Sequence, residues 1–465
     1  MPSAAPTIAD LVASVAGPVR RPDDPAYRRA TAGFNLAHQP CPAVVVEAVC
    51  ESDVVAAVRY AAAAGLAVTT QATGHGLRGD LAGTVLVTTA RMSGVRIDPR
   101  RRVAVVCAGT RWRAVIDAAA LHGLAPITGS SASVGVVGMA LGGGVGPFSR
   151  AHGMIADRVV RLRIVTADGR VRDVDADRDP ELFRAVRGTR GAFGIVTELE
   201  IELVPITRFH GGGLFFPAAS AARVLHAWRE WAPGLPEAAS SSLALLALPP
   251  DPALPPPLGG TYVAHLRFAH LGTAEEGAAL VAPMRAVATP LVDAITELPA
   301  AAIDAVHMDP LAPVPVVEQG CSVRELPVDA ADEVLALAGP DAGSPLTVVE
   351  FRLLGGAVAR RPENAPAASG RDGAFTAFAA GIPVDPEHAA AVRVRAAAVV
   401  DALAPWSARG LLNFVGEAGP ERIEGLWEPA EWARLRDQGR GRPGGGVHLG
   451  RDPRPGVTGQ PFSQL

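Results

Sequence analysis

The feature that most constrains this chain is the stretch Gly129-Ser130-Ser131-Ala132-Ser133-Val134-Gly135-Val136-Val137-Gly138-Met139-Ala140-Leu141-Gly142-Gly143-Gly144-Val145-Gly146. Glycine tolerates positive φ and lets a backbone approach a ligand or another backbone closely. Between the glycines stand only small or apolar residues, so the segment offers backbone N–H groups rather than side chains. A polar, flat or anionic ligand could lie against such a surface; a tight turn in a packed domain is the alternative. No Gly-Lys-Ser/Thr follows, which excludes a Walker A loop. The spacing, the missing upstream strand and the missing downstream acid exclude a Rossmann fingerprint.

A second glycine site lies upstream. Val68-Thr69-Thr70-Gln71-Ala72-Thr73-Gly74-His75-Gly76-Leu77-Arg78-Gly79 reads as a β-branched strand running into a glycine turn that presents one histidine. Before it, Ala43 to Val49 reads as a buried strand. Ser52-Asp53 is expected to cap an Ala-rich helix over Val54 to Ala64, closed by Gly65. The turn thus sits at the end of the second strand of a β-α-β unit, where α/β sheets favour ligands. Further strands are expected near 85–88, 103–106, 159–165, 171–174 and 195–203, with a helix over Trp112 to His122. Beyond Pro205, strands near 213–216, 242–247, 262–268, 347–353 and 375–379 alternate with amphipathic helices. They predict an antiparallel sheet covered by helices.

The chain has 465 residues, enough for two or three domains, and 49% of them are hydrophobic. The formal net charge is −4 with no basic run, which argues against nucleic acid. All basic residues are arginine, a codon-composition signature. Cys41, Cys50, Cys107 and Cys321 have no metal-ligand spacing and read as small buried hydrophobes. No leader pattern and no membrane-length apolar run is visible, so the expectation is a soluble, cytoplasmic protein with no bound metal. The oligomeric state is open.

The pair of glycine segments and four further motifs, in one order, resemble the flavin-linked oxidases of the vanillyl-alcohol oxidase, PCMH-type superfamily, in its berberine-bridge-enzyme-like branch. They are the two glycine segments; Val165-Thr166-Ala167-Asp168-Gly169; the block of Asp179-Pro180, Leu182 to Gly188 and Phe193-Gly194-Ile195-Val196-Thr197, similar to "LFWAxRGGGGNFGVVT"; the strand Val349-Glu350-Phe351-Arg352-Leu353-Leu354-Gly355-Gly356; and Leu412-Asn413-Phe414, similar to a "YxN" element. The resemblance implies an α+β chain. Residues 1–205 would form a two-subdomain FAD-binding domain and 206–405 a substrate-binding domain. Residues 406–436 would return to the FAD domain.

For the cofactor, the resemblance implies FAD held by Thr73, Gly74, His75, Gly76, Leu77, Gly129, Ser130, Ser131, Val134, Gly135, Gly138, Gly143, Gly194, Ile195, Val196 and Asn413. His75 would carry the flavin through its C8 methyl. Ser131 stands where bicovalent members have cysteine, so a single covalent link is expected. Gln71 stands where the family often has arginine, which removes a positive charge.

The catalytic base is harder to place. The family often has a tyrosine two residues before the asparagine; here that residue is Leu411. Glu350 and Arg352 alternate on one strand and could face the flavin. Glu350 would serve as base through a pKa raised by apolar surroundings, Arg352 would orient substrate, and a structural ion pair is the alternative. Glu417 and His307 are weaker candidates, with the His307 segment read mainly as loop-shaping. The expected activity is two-electron oxidation of a hydrophobic small molecule, with dioxygen reoxidising the flavin. A flavin dehydrogenase with another acceptor, or a flavoprotein scaffold or non-redox cyclase lacking the tyrosine, are the alternatives. From residue 437 the family's C-terminal segment gives way to Gly/Arg/Pro-rich sequence. It reads as a shifted frame and is expected to be poorly ordered.

Overall fold

A computed structural model describes residues 6–76, 79–252, 254 and 256–440. It is an α+β chain built on three sheets. The first contains β1 (Val19–Arg20), β2 (Val44–Glu47), β3 (Ala67–Gln71) and β4 (Thr84–Thr88), in the order β1-β2-β4-β3. β4 runs parallel to both β2 and β3 and lies between them. The helix Glu51–Ala64 connects β2 to β3 and buries Val54, Ala57, Val58 and Ala61, a helical spacing that faces the sheet. It ends as expected at Gly65, whose φ of 68° makes the left-handed cap. Its start differs from the expectation. Cys50 is the N-cap, and the buried Asp53 carboxylate instead accepts from the N–H groups of Ala16, Gly17 and Val49.

The second sheet is antiparallel and contains β5 (Val95–Asp98), β6 (Val103–Cys107), β7 (Ala125–Pro126), β8 (Val159–Val165), β9 (Val171–Asp175) and β10 (Ile195–Val204). The glycine-rich segment passes beside it and forms a short helix, Val136–Leu141, within the run. The sequence pattern did not signal that helix, because Gly138 lies inside it.

The third sheet has nine strands. They are β11 (Arg208–Pro217), β12 (Ala239–Ala247), β13 (Tyr262–His270), β14 (Val292–Asp293), β15 (Thr296–Pro299), β16 (Val317–Val323), β17 (Val348–Leu353), β18 (Phe375–Gly381) and β19 (Ser407–Ala408). The order is β14-β11-β13-β12-β17-β18-β16-β19, with β15 also paired to β11. Strand β16 and the helix Val328–Ala338 were not anticipated from the sequence. Alternation sets the two faces. Leu214, Leu243, Leu266, Phe351 and Ala377 point to a core shared with residues of the helices Ala221–Trp231, Ala274–Arg285, Val328–Ala338 and Pro386–Ala402. The other face carries Arg267, Ser242, Arg352, Thr376 and Ser322 in one cross-strand row. His265, Ala244, Glu350 and Phe378 form the next.

The chain then returns to the first half of the molecule. Leu412, Val415, Leu426, Trp427, Trp432 and Leu435 join the core built on the second sheet. The last helix runs Pro429–Arg440, so residues 437–440 are helical rather than the start of an irregular tail. The remainder of the tail lies outside the described residues.

Candidate functional site

β3 delivers Thr73, Gly74, His75 and Gly76 to the point where the two glycine segments meet. The Thr73 hydroxyl accepts from Gly135 N–H at 3.4 Å and lies 2.8 Å from His75 Nδ1. Gly74, at φ 73°, lies so close to Gly33 that a Cβ would stand 2.3 Å from the Gly33 Cα. That approach stacks Phe34 on the His75 imidazole, with centroids 3.9 Å apart and planes within 10°. The imidazole is held neutral: burial, with Arg111 adding to it, pushes its pKa down to about 4. Its Nε2 is buried without a partner.

The glycine-rich segment is fixed from the C-terminal return. Asn413 donates to the Met139 carbonyl at 2.9 Å, and its side chain fills the place a Gly142 Cβ would need. Ser131 is buried and turns its hydroxyl to Ser133 at 2.8 Å. Gly129 makes room for the Met139 side chain, and Gly143, at φ 100°, packs against Ala368. Ser130 and Val134 are half-buried beside Ser131, and Gly138 is exposed, with no protein atom near where a Cβ would be.

Gly194, Ile195 and Val196 are placed less simply than a lining role implies. Gly194, at φ 148°, packs on the Val165 carbonyl. Ile195 and Val196 send their side chains into two different cores, leaving only their backbone edges for a ligand. Leu77 lies outside the described residues.

Two residues of this junction were missed by sequence reasoning. Phe34 is one. Arg190 is the other: its guanidinium lies 3.4 Å from the place of a Gly76 Cβ and donates to the Leu412 carbonyl at 3.0 Å. It brings to this turn the positive charge that Gln71 does not. Gln71 is buried and donates to the Ala32 carbonyl at 2.9 Å. Neither residue had a local signal, since both contacts join distant parts of the chain.

The polar face of the third sheet forms a second cluster. Glu350 Oε1 accepts from Arg267 at 2.6 Å and Oε2 from Arg352 at 2.9 Å. His307 Nε2 lies 3.6 Å from Glu350 and 3.5 Å from the Ser242 hydroxyl, and its Nδ1 is buried without a partner. This overturns the expectation that apolar surroundings raise the Glu350 pKa. Burial alone would push it up, but the Arg267 and Arg352 guanidiniums override that and hold it well below the ordinary carboxylate range. The same burial and the same two cations keep His307 neutral. The charge that holds Glu350 down is therefore that of the arginines. Glu350 is an anchor for two cations rather than an acceptor of protons, and Arg352 is anchored with it.

The other acid–base candidates stand elsewhere. Glu417 pairs with Arg393 at 2.9 Å at the surface. Tyr262, the only tyrosine beyond residue 205, donates to the Ala338 carbonyl at 2.6 Å. Leu411 is buried among Val145, Met154, Leu354 and Val358.

Removing one member of a buried ion pair typically costs about 3–5 kcal/mol. Glu350→Gln should therefore lower the melting temperature by roughly 3–5 °C for a chain of this size, treated as one cooperative unit. The folded-state pKa is depressed, so this stabilisation is present above the ordinary Glu value of 4.5 and is lost as pH falls below it. Melting curves of both proteins at pH 7 and in acid check this. An equal gap at both pH values would contradict it.

Between this cluster and Val145 to Arg150 lies a cleft of about 30 Å³, lined also by Val306, Leu353 and Val358. A separate crevice of about 520 Å³ lies where the helix Pro180–Val186, residues 359–372 and the C-terminal helix meet. Its opposed charges pair with each other, as Arg184–Glu431 and Arg434–Glu181. No residue of either glycine-rich segment lines it, so the site is placed at the glycine segments and the sheet face.

Among the described residues no group of His, Cys, Asp or Glu is arranged to hold a metal ion. No described helix is long and apolar enough to cross a membrane.

Comparison with known proteins agrees with this layout. Residues 42–175 match the family model described as "FAD binding domain". Over 235 residues the chain is 31% identical to (R)-6-hydroxynicotine oxidase of Paenarthrobacter nicotinovorans, covering 50% of this chain and 48% of that protein. An FAD-linked oxidoreductase of Aspergillus terreus is 30% identical over 239 residues, covering 48% of this chain and 29% of that one. The alignments thus span less than half the length of these curated relatives. Solved structures match almost end to end. The 6-hydroxy-D-nicotine oxidase of Arthrobacter nicotinovorans gives a TM-score of 0.75 at 23% identity, covering 92% of this chain and 95% of that one. The BBE-like 1 protein of Physcomitrella patens gives 0.79 at 17% identity, covering 94% and 96%.

Proposed function

We propose that this chain, with its FAD-binding domain, is an FAD-dependent oxidase of the vanillyl-alcohol oxidase, PCMH-type superfamily. Its substrate is a small organic molecule bound against the third sheet, and dioxygen is the acceptor. The observation that carries this reading is the buried, neutral, unpartnered Nε2 of His75 at the junction of the two glycine segments.

The residues present fit the cofactor. An unpartnered imidazole nitrogen lies where the two glycine segments meet, Arg190 supplies a cation beside Gly76, and Asn413 fixes the glycine-rich segment. When bound, FAD supplies the two-electron acceptor that amino-acid side chains lack. The chain's own task is to hold that group, exclude water and move protons.

With Nδ1–H donated to the Thr73 hydroxyl 2.8 Å away, Nε2 would keep the lone pair, which suits a covalent link through His75. Ser131, hydrogen-bonded to Ser133, offers no thiol for a second. His307 takes over the role the sequence assigned to Glu350. Its neutral imidazole keeps Nδ1 available to accept the proton of a substrate hydroxyl, while Glu350 lies beside Nε2. Cytoplasmic location is part of the same proposal.

The purified protein should be yellow, with flavin absorption that stays with the pellet on acid precipitation. Rapid mixing of the substrate-reduced protein with oxygen should restore the absorption within the turnover time. A colourless folded protein that takes up no added FAD would refute the reading. Reoxidation far slower than turnover would instead make it a dehydrogenase.

A further inference from the structure

The cleft under the third sheet holds more positive charge than its surroundings neutralise. Arg150, Arg267 and Arg352 all line it, and among the described residues no aspartate or glutamate does. Glu350 serves Arg267 and Arg352 together from behind the lining. Arg150 is 7% exposed, and the carbonyls of Leu235, Ala239 and Leu354 accept from it. Those bonds satisfy its donors without cancelling its charge. Both neighbouring histidines, His265 and His307, are neutral. Arg267 and Arg352 thus share one carboxylate, and Glu237, the carboxylate that acts on Arg150, is already paired with Arg360; a buried charge without a full counter-ion is costly.

One donor is also left waiting. Arg352 Nε is buried with no partner, and Arg352 lines the cleft. The space of about 30 Å³ accepts a group of a few atoms and no ring. The walls around this cationic end are apolar: Val145, Val306, Leu353 and Val358.

We propose that the cleft is a carboxylate subsite, and that the substrate is an organic acid whose carboxylate lies between Arg352 and Arg267 while its apolar body rests on those walls. This deepens the reading of the sheet face as the substrate side, on which it rests. It narrows the substrate from any hydrophobic molecule to an acidic one, and it argues against a neutral sugar. A carboxylate there accepts a charge-assisted hydrogen bond from Arg352 Nε, which otherwise has no partner.

The test uses acetate and its neutral isostere acetamide on the full chain as purified, observed by saturation-transfer NMR. Acetate should bind at least about tenfold more tightly than acetamide. Arg352→Gln should weaken acetate by about tenfold, and Arg352→Lys, which keeps the charge, by only about threefold. Chloride at equal concentration should not displace acetate. Equal binding of acetate and acetamide, or full displacement by equal chloride, would overturn the carboxylate assignment. If the glutamine variant does not fold, the acetate-to-acetamide ratio and the chloride competition in the wild type decide the matter. The measurement needs no flavin. Selective acetate binding to a protein that takes up no FAD would sink the oxidase reading and spare the subsite. A yellow protein without acetate selectivity would do the reverse.

Discussion

Replacing His75 with alanine should convert a flavin that stays with the denatured protein into one that leaves it completely. The argument starts from the turn. Gly74 and Gly33 are in backbone contact, so Phe34 and His75 stack face to face and the imidazole has one orientation. Thr73 holds Nδ1, burial keeps the ring neutral with a pKa near 4, and Nε2 is left without a partner. A ring in this state is a nucleophile at any pH above its pKa. His75 would hold the flavin through Nε2, an attachment that releases two electrons and for which dioxygen would be the oxidant. His75 is placed for this step; Ser131 is not, because a hydroxyl already bonded to Ser133 forms no comparable link. Acid precipitation should therefore leave essentially all flavin in the pellet for the wild type and for Ser131→Ala. For His75→Ala essentially all of it should appear in the supernatant. Retention of flavin by the His75→Ala pellet would show that another residue carries the bond, and full release by the wild type would show that none does.

The parts of this site that were legible in the sequence are those set by local pattern. The strand Val68 to Gln71 running into Gly74-His75-Gly76 was readable because β-branched residues and glycine each dictate their own conformation. The faces of β17 were readable too: Val349, Phe351 and Leu353 alternate with Glu350 and Arg352, and the register places them as the alternation demands. The protonation state of Glu350 was not readable. It depends on Arg267, on a strand 83 residues away in sequence, and no local feature announces which residue stands opposite. Phe34 and Arg190 escaped for the same reason. Ile195 and Val196 illustrate another limit. Their strand is buried on both faces, so its run of apolar residues reads the same for a ligand wall as for a core. In the sequence His307-Met308-Asp309-Pro310 reads mainly as a loop-shaping element; in the structure His307 follows a short helical turn, Ala300–Val306. That turn carries it under the polar face of the sheet.

The loss of His307 should be the largest catalytic defect among single substitutions on the sheet face. His307→Ala removes the one neutral nitrogen that lines the cleft with a free lone pair. Removal of a general base usually costs about 10²- to 10⁴-fold in rate. Flavin content should stay at the wild-type level, since His307 lies on the third sheet's side and His75 at the end of β3. The pH profile separates a base from a merely structural residue. Burial, Arg352 and Arg267 push the His307 pKa well below 6.5, while Glu350 pulls the other way more weakly. The active form is the neutral one, so the rate is full above the folded-state pKa and falls as pH drops through it. In the free enzyme, reported by kcat/KM, that acidic limb should lie below pH 6.5. An acidic substrate adds a negative charge beside the ring and favours its protonated form. The limb of kcat, which reports the complex, should then lie at higher pH than the limb of kcat/KM. His307→Ala should erase the limb along with the rate. An alanine variant with wild-type turnover, or one that is slow but keeps the same acidic limb, would remove His307 from proton transfer and assign the limb to another group.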